Sequence, residues 1–336
     1  MLFRSRGTRA LTLTLGIESS CDESSVALVE NGRRVLANLV HSQEHAAYGG
    51  VVPELAARAH LEKLPVLVES ALARRGLRGE DVDHVAVTRG PGLVGCLLVG
   101  VGLAQGLGAA WGRPVTGVNH LWGHVYAAML TRDDLAPPLL ALVVSGAHSD
   151  LVRMPAHGQF EVVGRTRDDA AGEAFDKAAR TLGLGWPGGP ALDREARRGD
   201  WRRQPLPVPT LPGLEYSFSG LKTALLYRVR DLGGVEALDE RARADLAAAF
   251  ERSVVESLLE KLRRALDEWP ASDVVVCGGV AANTLLRERA AEAVAGRARL
   301  TIPPLALCTD NAAMIAAAAA HTPRTAELRA DPSLGW

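Results

Sequence analysis

Apolar and polar positions alternate near the start of the chain in a way that predicts three antiparallel strands. The polar turn Glu18–Ser24 separates the first two apolar runs, and Asn31-Gly32 is typical of a hairpin that leads into the third. A helical pattern follows from about Pro53 to Arg74, and the segments HVAVTRGPG and PVTGVNH then predict two further strands. Because strands and helices alternate, we predict an α/β lobe.

The same design recurs after the break at Ala136–Pro138. The segment LLALVVSGAHSDLVRM repeats the order strand, polar turn, strand. A long amphipathic helix is predicted over about Glu240–Glu268, because apolar residues recur every four positions from Leu246 to Leu266. We therefore expect an N-terminal extension and two lobes. Their bounds are residues 1–10 for the extension, 11–135 with 311–336 for the first lobe, and 136–310 for the second.

Composition narrows the class of protein without naming it. Of the 336 residues 47% are hydrophobic, which suffices for a large core, and the net charge of −1 excludes a globally basic nucleic-acid binder. The four cysteines form no C-x-x-C pair, which favours a reducing, cytoplasmic location.

The stretch Gly90–Gly112 is uncharged and long enough to cross a membrane. Its eight glycines favour a buried helix of a soluble protein instead, so no membrane association is expected.

Three carboxylates crowd the first polar turn. Glu18, Asp22 and Glu23 lie within GIESSCDESS, among four serines. A turn requires small polar residues in any case. Like charges in one turn repel one another, however, unless a cation lies nearby. The turn is therefore a candidate functional site.

Two glycine turns in the second lobe have the composition of an anion site. Ser145, Gly146 and Ala147 follow an apolar strand, where backbone N–H groups can bind an anion, although Ser-Gly turns are common. The segment VVVCGGVAAN is more specific, because Gly278 and Gly279 allow close approach of a ligand and Asn283 offers a hydrogen bond. It lacks the G-x-G-x-x-G spacing, so a dinucleotide fold is not implied.

His120 and His124 are separated by one helical turn in NHLWGH. This spacing can hold a metal, although surface pairs at i,i+4 also occur by chance. The zinc-protease pattern requires glutamate directly after the first histidine, and Leu121 occupies that position. Asp310 in CTDNAAM would complete a His-His-Asp site if the last helix folds back onto the first lobe; the alternative is that it only caps that helix.

Nine segments, taken in this order, resemble the universal tRNA N6-adenosine threonylcarbamoyltransferase (TsaD) family, formerly described as O-sialoglycoprotein endopeptidases. They span the chain from about Leu13 to Ala319. One such motif is weak evidence, whereas nine in family order are specific. The segments are GIESSCDESS, GGVVPELAARAH, GPGLVGCLLVG, NHLWGH, SGAHSDL, DDAAGEAFDKAARTLGLGWPGGP, YSFSGLKTA, GGVAANTLLR and CTDNAAMIA.

The resemblance implies a fold and a reaction. The fold is the two-lobed architecture of actin, heat-shock chaperones and sugar kinases (ASKHA), with a duplicated RNase H-like core and a nucleotide in the cleft. In the reaction, the threonylcarbamoyl group passes from threonylcarbamoyl-AMP to N6 of the adenosine 3′ to the anticodon, in tRNAs that read ANN codons, and AMP is released. The family also implies a paralogous subunit (TsaB) and a small ATPase (TsaE) as partners.

The resemblance also implies roles for individual residues. It implies that His120, His124 and Asp310 hold one divalent metal, iron(II) or alternatively zinc. It places Asp22 and Glu23 among the acidic residues of the cleft, and we take these two as candidate proton acceptors. The residues implied for the adenylate are Val143, Val144, Ser145, Gly146, Ala147, Asp176, Gly189, Asp193 and Asn283.

The chain departs from the family pattern at several positions, none of which removes an implied ligand. Trp122 replaces a common glutamate, and Ala306 replaces a frequent lysine. Ala147 and the pair Ser149-Asp150 stand where Gly and Thr-Gln are usual. The methyl group of Ala147 would crowd a ligand if that residue required a positive φ.

Three other functions remain open at this point. A metalloprotease is suggested by the former family description, but the residue after His120 is not glutamate. A non-catalytic scaffold subunit of this fold is the second alternative, and the intact histidine pair and Asp310 argue against it. A sugar kinase is the third, although nothing in the sequence specifies a sugar site.

Overall fold

The computed structural model describes residues 12–45, 48–323 and 327–336, so the expected extension at 1–10 lies outside the described residues. The chain forms two compact units. The described residues of unit 1 lie within Met1–Gln43, Val51–Asp133 and Asp310–Gly335. Those of unit 2 lie within Glu44–Gly50, Asp134–Thr309 and Trp336. Asp310 thus belongs to the unit that contains both histidines.

Ten strands and ten α-helices make up the regular structure of the described residues. The strands are β1 (Leu13–Glu18), β2 (Glu23–Glu30), β3 (Arg34–Ser42), β4 (His84–Gly90), β5 (Val115–Asn119), β6 (Leu139–Val144), β7 (Ser149–Ala156), β8 (Gln159–Arg165), β9 (Asp273–Cys277) and β10 (Arg299–Thr301). The helices are α1 (Pro53–Ala73), α2 (Val94–Trp111), α3 (His120–Met129), α4 (Ala171–Thr181), α5 (Gly188–Ala196), α6 (Ser219–Asp231), α7 (Glu240–Glu268), α8 (Thr284–Val294), α9 (Leu305–Cys308) and α10 (Ala312–Ala319).

The two units repeat one sheet topology. The strand orders are β3-β2-β1-β4-β5 in unit 1 and β8-β7-β6-β9-β10 in unit 2. In each sheet the first three strands are antiparallel, and the fourth and fifth run parallel to the central strand. This repetition confirms the α/β class and the duplicated core. It also brings the carboxyl ends of three parallel strands to one edge of each sheet, where turns can bind ligands.

Helix α2 is only partly buried, which corrects the expectation of a buried helix. It is the one helix among the described residues that is long and apolar enough to cross a membrane, and a third of it is buried. One face packs on β4 and α1, while Val94 and Leu98 on the other face are more than half exposed. The apolar sequence of α2 thus reflects a packed face together with an exposed apolar face.

Helix α10 lies against the sheet of unit 1 and carries Asp310 just before its start. All of its residues are buried, and it packs on β1, β2 and α3. Gly16 in β1 makes the contact possible, because a Cβ atom at that position would lie 2.3 Å from the carbonyl oxygen of Ala312. The backbone N–H of Ala312 also donates to Ser25 Oγ at 2.9 Å. The missing side chain at Gly16 therefore allows the first turn of α10 to pack directly on β1.

We expect Gly16→Ala to destabilise the chain by about 1–3 kcal/mol, because a methyl group in this packed contact must push α10 away from the sheet. Urea unfolding followed by circular dichroism measures this change. Gly102→Ala in the middle of α2 is the matched control, since a Cβ there meets nothing within 4 Å. The control should be neutral or stabilising. Equal stability of Gly16→Ala and the wild type would contradict the described seating of α10.

Candidate functional site

The two histidines occupy the first turn and the second turn of α3. Asn119 caps this helix, since its side-chain oxygen accepts a hydrogen bond from the N–H of Leu121 at 2.9 Å. His120 therefore lies at the point where β5 ends and α3 begins. The two imidazole rings have centroids 4.7 Å apart and lie nearly perpendicular to each other. Both histidines are buried, so they are not a surface pair.

Asp310 joins the histidines, as predicted for a helix that folds back. Its Oδ1 atom lies 3.3 Å from His124 Nε2 and 3.5 Å from His120 Nε2. The alternative role as a helix cap belongs to Asn311 instead, whose side chain accepts from the N–H of Met314 at 3.1 Å. One ligand atom from each of His120, His124 and Asp310 lies within 4.8 Å of the others, a grouping suited to a metal ion.

Glu18 orients His120 from the opposite side of the ring. His120 Nδ1 lies 3.1 Å from Glu18 Oε2, and Glu18 is completely buried. The carboxylate is itself held by Thr88 Oγ1 and by the N–H of Ser20, each at 2.5 Å. A carboxylate that accepts from Nδ1 fixes the tautomer that leaves Nε2 available to a metal, an arrangement common behind zinc and iron ligands. Glu18 was predicted only as part of the acidic turn.

His124 provides the test of whether these residues fit a metal. Its side chain is completely buried, and neither ring nitrogen has a hydrogen-bond partner among the described residues. A buried polar atom without a partner is costly and calls for a physical explanation. An imidazole Nε2 atom that faces a carboxylate oxygen and a second imidazole is the donor set that divalent iron and zinc prefer. The residues present therefore fit the implied metal.

The electrostatics of the acidic turn point the same way. Burial opposes the charged form of His120, but Asp310 and Glu18 outweigh it and raise the pKa of His120 to about 9. Burial, together with Asp310 and Asp22, raises the pKa of Glu23 to about 9. These shifts mean that ionising every carboxyl group of this buried cluster is unfavourable unless a positive charge lies nearby. A bound cation satisfies such a cluster.

His60 of α1 holds the acidic turn in place, a role that the sequence did not reveal. Its Nδ1 and Nε2 atoms lie 2.7 Å from Ser24 Oγ and 2.9 Å from the carbonyl oxygen of Cys21. His60 is completely buried, and burial lowers its pKa. The neutral ring has one donor and one acceptor, which suits a hydroxyl and a carbonyl. Asp22 thus lies in the chain between Cys21 and Ser24, both of which are held by His60.

In unit 2, the turn after β6 presents free backbone donors. The N–H of Ser145 bonds to the carbonyl of His148 at 2.8 Å, which closes the turn. Gly146 and Ala147 are exposed, and their N–H groups donate to no atom of the residues that the structure describes. Ala147 has an ordinary negative φ, because Asn31 is the one described residue other than glycine with a positive value. The extra methyl group therefore causes no backbone strain.

The turn after β9 lies directly beside the turn after β6. Strands β6 and β9 pair in parallel up to Val143 and Cys277. Gly278 follows with φ of +92°, and a Cβ atom there would lie 2.3 Å from the carbonyl oxygen of Val144. Only glycine tolerates this conformation and this contact. The structure thus brings together the two glycine turns that the sequence identified separately.

Asp176 and Gly189 are also neighbours. The N–H of Gly189 donates to Asp176 Oδ1 at 3.2 Å, so the carboxylate caps the start of α5. Burial raises the pKa of Asp176, although the N–H groups of Gly189 and Gly188 oppose the shift. Nearby, Ser149 Oγ accepts from the N–H of Ala171 at 2.8 Å, and Asp150 accepts from Trp336 Nε1 at 2.6 Å. Ser149 and Asp150, which differ from the usual family residues, therefore both have hydrogen-bond partners.

Asp193 and Asn283 belong to one hydrogen-bond network. Asn283 Nδ2 donates to Asp193 Oδ1 at 3.2 Å, and the N–H of Thr284 donates to the same oxygen at 3.0 Å. Asp193 Oδ2 accepts from Thr284 Oγ1 at 3.3 Å and from Arg197. The network joins the carboxyl-terminal half of α5 to the first turn of α8. All the residues predicted for the adenylate therefore lie in unit 2, in three groups.

The sequence of this chain is similar to the sequences of a named enzyme family. A family model described as TsaD, tRNA N6-adenosine threonylcarbamoyltransferase, matches residues 34–317. A relative of that name from Symbiobacterium thermophilum is 50% identical over 332 residues, 96% of each chain. One from Bordetella petrii is 52% identical over 92% of this chain and 90% of its own. One from Bacillus subtilis is 48% identical over 90% and 88%.

Solved structures show the fold at much lower identity. Component A of (R)-2-hydroxyglutaryl-CoA dehydratase from Acidaminococcus fermentans has a TM-score of 0.56 at 17% identity, covering 92% of this chain and 96% of its own. HypF of T. kodakarensis has a TM-score of 0.61 at 13% identity, covering 91% and 46%. These structural similarities confirm the ASKHA fold, and the relatives at about 50% identity establish the family. The chain belongs to the tRNA N6-adenosine threonylcarbamoyltransferase family.

Proposed function

We propose that this chain transfers the threonylcarbamoyl group from threonylcarbamoyl-AMP to N6 of the adenosine 3′ to the anticodon, in tRNAs that read ANN codons. The products are N6-threonylcarbamoyladenosine and AMP. The observation that carries the proposal is the buried His120, His124 and Asp310 cluster, in a chain about half identical to relatives named for this reaction over more than 90% of its length. Two histidines and one carboxylate leave positions open for substrate, as in a working metal site.

One divalent metal fits this centre, and we propose iron(II), with zinc as the alternative. Two histidines with one carboxylate are ligands that suit both ions. When bound, the metal would supply positive charge that orients the adenylate and polarises its carbonyl or phosphate oxygens. Glu18 keeps Nε2 of His120 directed toward Asp310 through its contact with Nδ1.

Unit 2 supplies the residues that we propose for the adenylate. The exposed N–H groups of Gly146 and Ala147 suit a phosphate, because backbone donors at a turn can receive negative charge. Val143 and Val144 place that turn at the end of β6. Asp176 and Gly189 shape the start of α5, while Asp193 and Asn283 offer polar atoms to the nucleoside.

The nucleophile is an exocyclic amine, which is weak because its lone pair is delocalised into the base. Holding it close to the carbonyl carbon must therefore supply much of the rate enhancement. We propose Asp22 and Glu23 as acceptors of the proton that the amine loses. Burial, Asp310 and Asp22 raise the pKa of Glu23 to about 9, so its carboxyl accepts the proton only when a bound cation keeps it ionised.

The exposed apolar face of α1 and α2 supports a partner protein, and we propose the paralogous subunit (TsaB) as its occupant. Helix α2 contains no charged residue along its 18 positions. Leu98 is 57% exposed on α2, and Leu61 and Val66 of α1 are 64% and 57% exposed. Gly102 and Gly106 lie on the same exposed side of α2, where they allow another helix to approach closely.

The remaining partners and the location rest on family membership. We propose tRNA as the acceptor substrate and the small ATPase (TsaE) as a third protein of the system. We propose a cytoplasmic location without membrane association, because tRNA is cytoplasmic and α2 packs one face on β4 and α1. Its apolar stretch is then explained by protein packing.

The alternative functions are less well supported. The position after His120 is Leu121, which is 2% exposed in the core, so no protease-type general base stands there. A scaffold subunit has no use for a buried His-His-Asp cluster. A sugar kinase shares the fold, but shared fold alone does not define a reaction.

We expect His120→Ala with His124→Ala to abolish both metal binding and threonylcarbamoyl transfer, because two of the three ligands are lost. Glu18→Gln keeps all three ligands but weakens the hydrogen bond to His120, so metal affinity should fall about 10–100-fold. Metal titration by calorimetry and a tRNA modification assay measure the two effects.

His157→Ala, in the turn between β7 and β8, is the control and should behave like the wild type. Undiminished transfer by the double histidine variant would defeat the metal-site proposal. Unchanged metal affinity in Glu18→Gln would defeat the orienting role of Glu18 alone.

We expect Leu98→Glu to prevent association with the paralogous subunit, because a buried charge without a partner is costly in an apolar interface. Size-exclusion chromatography of a mixture of the two purified proteins tests this, because associated proteins elute together. Leu226→Glu on α6 is the matched control, since Leu226 is a similarly exposed leucine, at 53%. Co-elution of Leu98→Glu with the subunit would exclude this face as the docking surface.

A further inference from the structure

A buried carboxyl group on α7 contacts the Asp193–Asn283 network. Glu251 is 5% exposed, and its Oε1 atom accepts from Asn283 Nδ2 at 2.6 Å. It lines a cavity of about 640 Å³ together with Asp193, Arg197 and Thr284. No motif identified Glu251, although its neighbours one turn before and after on α7, Ala247 and Val255, are buried and apolar.

Glu251 determines which way the amide of Asn283 faces. The Oδ1 atom of Asn283 accepts from the N–H of Leu286 at 2.8 Å and so caps α8. The two hydrogens on Nδ2 are directed to Glu251 and to Asp193. A reversed amide would place Oδ1 against two carboxyl oxygens and leave the helix uncapped. Glu251, Asp193 and the capping bond from Leu286 thus together hold Asn283 in one orientation.

Glu251 and Asp193 form a close pair of carboxyl groups around this amide. Burial is the main cause that raises the pKa of Glu251 to about 8; Asn283 opposes this shift and Asp193 adds to it. At neutral pH the neutral carboxyl of Glu251 donates a hydrogen bond to Asp193, whose other partner is Arg197. A proton held between two carboxyls removes their repulsion.

We propose that Glu251 is a positioning residue of the adenylate site, which holds Asn283 and Asp193 in the arrangement that receives the nucleoside of AMP. This inference rests on the proposed function, because it takes the adenylate as the ligand of these two residues. Glu251 itself acts through Asn283 and Asp193.

The chemistry of the network suits a nucleoside. The oxygens that Asp193 and Asn283 present are acceptors, and the donors of AMP are its ribose hydroxyls and its exocyclic amine. The Arg197 side chain is 57% exposed, so a ribose hydroxyl can replace it on Asp193 at little cost. Thr284 and Asn283 cannot leave in the same way, since both are fixed by the first turn of α8.

Two variants of Glu251 separate positioning from bulk packing. Glutamine at position 251 reproduces the neutral carboxyl group, because its carbonyl accepts from Asn283 and its amide donates to Asp193. Alanine at this position removes both contacts. We expect Glu251→Ala to weaken AMP binding about tenfold or more, the value of one or two buried hydrogen bonds, and Glu251→Gln to stay within about threefold of the wild type. Calorimetric titration of the full chain with AMP measures both.

A pH comparison adds a readout that packing alone would not change. The other charged groups that line this cavity are Asp193, Arg197, Arg202, Arg252, Glu256, Glu288 and Arg289. The arrangement is intact while Glu251 is neutral and is lost as pH rises through about 8. Wild-type affinity for AMP should therefore fall between pH 7 and pH 9, and Glu251→Gln should keep its affinity. The second ionisation of the AMP phosphate, with a pKa of about 6, is nearly complete at both values.

Glu256→Ala is the control, because Glu256 lines the same cavity but pairs with Arg289 and Arg263. It should bind AMP like the wild type, and thermal unfolding checks that each variant is folded. Wild-type affinity in Glu251→Ala, or equal losses in the Gln and Ala variants, would overturn the inference and leave the proposed function standing. If the wild-type chain bound no AMP, the proposed adenylate site and the inference would fail together.

Discussion

The close contact between α10 and β1 is the constraint on which the grouping of His120, His124 and Asp310 depends. Asp310 precedes α10, and the two histidines lie almost 200 residues earlier in the chain, on α3. Gly16 lets the backbone of α10 approach the sheet, and Ser25 receives its first N–H group. Asn311 takes over the capping of the helix, which frees the Asp310 carboxylate to face His120 and His124. The space left by Gly16 thus allows side chains from distant segments of the chain to meet.

The repeated sheet topology explains why each unit carries one group of candidate site residues. In unit 1, β1 ends at Glu18 and β5 ends just before His120, so carboxylates and imidazoles meet at one edge. In unit 2, β6 and β9 end at the two glycine turns in the same way. A central strand followed by parallel neighbours places such turns side by side in either case. Duplication of one core therefore provided two edges, one acidic with histidines and one rich in backbone donors.

Much of this arrangement was predictable from the sequence, and what was missed has a physical reason. Apolar periodicity located α1 and α7 to within a residue, and the histidine spacing with CTDNAAM predicted that His120, His124 and Asp310 lie together. The contact between Glu18 and His120 joins residues 102 positions apart, and no local pattern encodes it. Glu251 was hidden among the residues of an amphipathic helix. A carboxyl in an apolar column of α7 was the available signal, because buried acids require partners.

The central claim is that this chain itself carries out the transfer, with its metal centre and its adenylate site acting in one reaction. Purified chain loaded with metal should be mixed with threonylcarbamoyl-AMP and tRNA, with and without the paralogous subunit and the ATPase. Mass spectrometry of the digested tRNA would quantify N6-threonylcarbamoyladenosine, and chromatography would quantify AMP. The account predicts equal amounts of both products whenever this chain is present, and neither when it is omitted. Modification of tRNA by the partner proteins alone, or AMP release without modified tRNA, would contradict it.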